Sequence, residues 1–152
     1  MQDTIFPSIL LYGSETWTVS SSLKTKIDGT YTKLLRKVLN VRWQDHPTNL
    51  SLYQNLPKLS DKIQKRRLNF AGHCARATKQ PVTPLLFWKP QQGTTSRGRP
   101  QKSYIQNILE DTNLQETSEV LTLMYDKQAW KDLVHSLTPN NDSMIDPPTG
   151  DR

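Results

Sequence analysis

The stretch from Ser60 to Ala77, SDKIQKRRLNFAGHCARA, contains no proline and keeps a helical period throughout, which restricts the chain to folds built around a helix. At about 100° per residue, Ile63, Phe70, Cys74 and Ala77 fall within a stripe about 60° wide, the expected buried face. Lys62, Lys65, Arg66, Asn69, His73 and Arg76 gather on another face. A solvated helix face normally mixes signs through i,i+4 acid–base pairs, but no acid follows Asp61 within this helix. Ser60 or Asp61 is the expected N-cap.

The cationic character continues past the helix. Residues 61–102 hold ten Lys/Arg against the single acid Asp61, a local charge of +9. Residues 1–60 carry +3 and residues 103–152 carry −6, within a whole-chain net charge of +6. The charge is therefore a central band, and such a band more often meets a polyanion than a small neutral substrate.

On either side, the pattern is helical again. Ser20, Ser21 and Ser22 offer an N-cap for a helix over 22–41. Leu23, Ile27, Tyr31, Leu34, Val38 and Val41 share one stripe about 80° wide, with Lys26, Lys33, Arg36 and Lys37 on the far side. Pro47 makes 42–49 a loop, and 48–57 reads as a short helix capped by Thr48 or Asn49. Helices are predicted over 103–112 and 118–138; in the second, the apolar face shifts near Asp126, which implies a break with Asp126 as a new N-cap. Pro81, Pro84, Pro90 and Pro100 interrupt 78–103, and the tail after 138 has no period. The expected fold is mainly α: a small helical bundle with a long Pro-rich basic loop and a disordered C-terminal tail. Its divisions are a helical segment 1–77, a basic connection 78–102, C-terminal helices 103–138 and a tail 139–152.

Chemistry-bearing constellations are few. With 34% hydrophobic residues and ten prolines the core is thin, and one cysteine excludes a disulfide within the chain. His46, His73 and His135 lie far apart, and neither a phosphate-binding Gly-rich loop nor a His-Glu-x-x-His motif is present. Glu110–Asp111 is the one adjacent acidic pair; neighbours on a helix diverge by about 100°, so it reads as surface. Cys74 lies on the apolar stripe and reads as a core thiol. No catalytic residue, metal or cofactor is expected. No apolar run approaches the roughly 20 residues of a membrane span, so the expectation is an intracellular protein of nucleus or cytoplasm.

What remains is binding. Cations along one helix face can neutralise phosphates, and Arg97, Arg99 and Lys102 extend them into the run SRGRPQK. Arg-Gly-Arg-Pro resembles the core of an AT-hook, but four residues are a short match and a cationic turn without groove specificity is the preferred reading. Trp17, Trp43, Trp88 and Trp130 read first as core.

Five phrases then add a resemblance: LLYGSETWTV (10–19), LLRKVLNVRWQDHPTN (34–49), IQKRRLNFAGHCARA (63–77), SRGRPQKSYIQNILED (96–111) and DKQAWKDLV (126–134). In this order and approximate spacing, they look like the C-terminal region of non-LTR (LINE-type) retrotransposon endonuclease–reverse transcriptases. Cys74 stands where that family more usually has Val or Ile, and Tyr104 where Trp is common. The resemblance implies a thumb and post-thumb segment that follows a polymerase palm in the same chain and grips RNA, DNA or an RNA–DNA hybrid. The family's Tyr/Phe-x-Asp-Asp polymerase motif has no counterpart in this sequence. The expected function is nucleic-acid binding without catalysis, through Lys62, Lys65, Arg66, Asn69, His73, Arg76, Arg97, Arg99 and Lys102. The alternatives are a helical protein-interaction module, or a truncated copy with no selected function.

Overall fold

A computed structural model describes residues 9–45, 47–53, 56–77 and 102–137. They form six α-helices, α1 (Ser21–Val38), α2 (Asn49–Tyr53), α3 (Leu59–Ala75), α4 (Tyr104–Thr112), α5 (Thr117–Tyr125) and α6 (Lys127–Leu137), with 3-10 turns at Ser14–Thr16 and Trp43–Asp45 and no strand among the described residues. The protein is a mainly α helical bundle. The expected Pro-rich loop and C-terminal tail fall almost wholly at 78–101 and 138–152, outside the described residues.

Local chemistry fixes most helix ends where the sequence places them. Ser20 caps α1, its Oγ accepting from Leu23 N at 3.3 Å. Ser103 and Gln106 form a reciprocal capping box at α4. The break at Asp126 is present, its carboxylate accepting from the backbone N–H groups of Gln128 at 2.9 Å and Ala129 at 3.1 Å. One boundary differs from expectation. Helix α1 stops at Val38 because Asn40 adopts a left-handed φ of 51°; Val41 N then donates to Arg36 O and Asn40 N to Lys37 O, a Schellman closure that leaves Val41 outside the helix. Helix α2 is described over Asn49–Tyr53, where the tyrosine ring packs on Tyr31 at 5.9 Å and its hydroxyl reaches Thr32 at 2.9 Å; positions 54 and 55 of its expected span lie outside the described residues.

Helix α3 forms the wall between two apolar clusters. On one side, Ile63 and Leu59 pack with Leu11, Val19 and Tyr31. On the other, Leu68, Ala71 and Ala75 pack with Ile105, Ile108, Val120, Met124, Trp130 and Val134. The expected single buried stripe is therefore too narrow. Ile63 and Cys74 are buried as predicted, and Phe70 and Ala77 are half-buried. A second buried face, through Leu68, Ala71, Gly72 and Ala75, comes from the helices that follow 102. Small residues on that face let α6 approach closely: a Cβ on Gly72 would collide with the Trp130 indole, whose Nε1 donates to Leu68 O at 3.0 Å.

Candidate nucleic-acid interface

The interface proposed from sequence rests on how α3 is held. Its N-cap is Lys58, which makes no side-chain capping bond, so neither Ser60 nor Asp61 has that role. The capping acceptor comes instead from α1. The Asp28 carboxylate takes Ser60 N at 2.9 Å and Ser60 Oγ at 2.8 Å. An anion at a helix N-terminus satisfies an orphan donor and opposes the helix dipole, which fixes the tilt of α3 against α1.

Arg67 anchors the same helix from within. It lies four residues after Ile63, on the apolar stripe, and is 1% exposed. Its Nε donates to Asp111 Oδ2 at 2.9 Å, its Nη2 to the same oxygen, and its Nη1 to Trp17 O at 3.0 Å. Lys24 Nζ approaches the other carboxylate oxygen at 3.3 Å, and Gln64 donates to the Asp111 carbonyl at 3.2 Å. Asp111 is thus buried, which corrects its reading as surface; only its neighbour Glu110 is exposed, paired with Lys102. Above this cluster, the Tyr104 hydroxyl donates to Glu15 O at 3.0 Å. Burial pushes the Tyr104 phenol well above its ordinary value of 10, with the Arg67 charge opposing the shift. Burial likewise raises the Cys74 thiol, in keeping with a core thiol.

The candidate phosphate ligands sit around this frame in different circumstances. Lys62, Lys65, Arg66, Asn69, His73 and Arg76 follow one face of α3; Asn69 and His73 are exposed and the other four half-buried. Arg66 donates through Nη1 to Leu11 O at 2.7 Å and lies 3.6 Å from the Glu15 carboxylate, so part of its charge is already used to hold the turn at 11–17. Arg76 donates through Nη1 to Met124 O, a carbonyl in the last turn of α5, where a cation suits the negative end of the dipole. Lys102 is paired with Glu110. Arg97 and Arg99 lie outside the described residues. Among the described residues no group of three or more His, Cys, Asp or Glu side chains is arranged to hold a metal, and no helix is long and apolar enough to cross a membrane.

Sequence reasoning passed over Lys24, Asp28 and Arg67 and placed Asp111 at the surface. One signal was available: an arginine on an apolar stripe requires a buried acceptor, because an unpaired buried charge is prohibitively costly.

No protein-family model matches the chain. It is similar to an uncharacterized transposon-derived protein of Caenorhabditis elegans, 24% identical in an alignment 151 positions long that takes in 91% of this chain. The match takes in 54% of that protein, so the chain spans about half the length of the curated relative. No solved structure matches.

Proposed function

We propose that this chain is a nucleic-acid-binding segment of transposon origin, similar to the region that follows the polymerase palm in non-LTR retrotransposon reverse transcriptases. It holds a phosphodiester backbone without performing chemistry. The observation that carries this reading is the same-sign face of α3, where Lys62, Lys65 and Arg66 are followed by Asn69, His73 and Arg76 with no interleaved acid. Similarity to a transposon-derived protein across most of the chain supports the origin.

Lys62 and Lys65, both half-buried on α3, contribute charge to phosphate; Asn69 and His73, both exposed, supply hydrogen bonds to the same strand. Arg66 and Arg76 add to the local potential from fixed places. Arg97, Arg99 and Lys102 extend the contact beyond the helix.

Fluorescence anisotropy with a labelled single-stranded RNA and with an RNA–DNA hybrid, titrated across salt, tests the proposal. Log K falls linearly with log salt, at a slope of about −0.7 to −0.9 per neutralised phosphate. Lys62→Ala together with Lys65→Ala flattens that slope by one to two phosphates' worth for every sequence tried, because backbone contacts carry no base information. Absence of binding to either probe at low salt, with the chain folded by circular dichroism, eliminates the proposal.

A further inference from the structure

Helix α1 leaves part of its apolar stripe uncovered. Tyr31 is buried, but Leu23 and Val38 are 39% and 47% exposed. Between this helix and the turn at 11–17 lies a groove of about 250 Å³, lined chiefly by Leu10, Leu11, Trp17, Leu23, Ile27 and Leu34 and floored by Ile63. Charge is arranged unevenly along its edges. On the inner flank of α1, Lys24 is bound to Asp111, and Asp28 to Ser60. On the outer flank Lys26, Lys33 and Lys37 are all exposed and fall within about 40° of one another, directly beyond the edge formed by Leu23 and Thr30. Across the groove, Glu15 is engaged by Arg66, and Asp61 projects about 160° away from Ile63 around α3.

We propose that this groove docks an amphipathic helix from a partner protein, with aliphatic residues at i, i+3/i+4 and i+7 facing the groove and Glu or Asp along the edge that meets Lys26, Lys33 and Lys37. Helix α1 has 18 residues, about 27 Å of rise, so it accepts a partner helix of three to five turns lying alongside it. A second copy of this chain is a poor occupant, because a two-fold pairing of α1 with itself sets its outer lysines against their own copies. A phosphodiester strand satisfies the lysines yet leaves Leu23, Ile27 and Leu34 in water; an acidic-edged helix satisfies both. The groove adjoins the cationic face of α3 at Arg66, but its lysines come from α1 and not from that face.

The test uses the full 152-residue chain and three labelled 18-residue helical peptides. One has a leucine seam with glutamate flanks, the second the same seam with lysine flanks, and the third glutamate flanks with the seam changed to glutamine. Affinities are read by anisotropy, and the contact face by amide chemical shifts. The Glu-flanked leucine peptide binds about tenfold more tightly than the Lys-flanked one, as a few screened exposed pairs allow. It shifts the amides of α1 and of residues 10–17. In a chain carrying Lys26→Glu, Lys33→Glu and Lys37→Glu, surface changes that leave the circular dichroism unaltered, the preference inverts. Equal affinity for the two leucine peptides, or a preference that survives the triple reversal, overturns the proposal. So does equally tight binding of the glutamine peptide, since the lysines would then be holding any polyanion.

Discussion

Gly72 and Gly29 are both helix-interior glycines with opposite consequences. A methyl group at Gly72 meets the Trp130 indole edge and lies 3.2 Å from the Arg76 guanidinium, whereas one at Gly29 meets nothing within 4 Å. Gly72→Ala forces the indole out of its bond to Leu68 O and destabilises by about 1–3 kcal/mol. Gly29→Ala stabilises by up to about 1 kcal/mol through helix propensity alone. Urea denaturation of the two variants separates them by the sign of the midpoint shift. Tyr104 supplies a pH signature at the same scale. Its phenol is raised in the folded state, so its contribution is complete below the ordinary value of 10 and is lost as pH rises beyond it. Between pH 8 and pH 11 the urea midpoint of the wild type falls further than that of Tyr104→Phe; equal falls would mean that the phenol ionises as freely folded as unfolded.

Among the helices, Asp28 shows how one element is set by another. Removing it by Asp28→Ala exposes an orphan donor at the start of α3 and costs about 1–2 kcal/mol, read as a lowered thermal midpoint, while Asp61→Ala changes little. That capping partner was not legible in the sequence, because it lies 32 residues away. Local codes were legible: Ser20 before α1 and Asp126 between α5 and α6 act within three residues of their targets, and so does the Ser103–Gln106 capping box at α4, which the expected helix start at 103 passed over. The second buried face of α3 was hidden for the same reason as Asp28. Leu68, Ala71 and Gly72 look like the side of a helix until Trp130 and Met124 are brought against them by tertiary packing. For the candidate site, the shared face of six polar residues on α3 follows directly from helical period, but the bonds of Arg66 to Leu11 and of Arg76 to Met124 depend on partners no period reveals.

For the whole molecule, stability concentrates at Asp111, where Lys24 from α1 and Arg67 from α3 converge, Arg67 also donating to Trp17 O. Asp111→Ala leaves a buried guanidinium without its counter-charge and lowers unfolding free energy by about 3–5 kcal/mol. Replacing the pair together, Arg67→Met with Asp111→Leu, recovers most of that loss, since no uncompensated charge remains. Chemical denaturation of the single and double variants forms the cycle, and a double variant as unstable as the single would show that the bond from Arg67 to Trp17 O matters more than the charge. The same carboxylate has a consequence during synthesis. A ribosome adds Arg67 to the chain 44 residues before Asp111, so the guanidinium has no carboxylate to meet until α4 emerges. A transcript ending before that codon leaves the amino-terminal helices with the same orphaned cation.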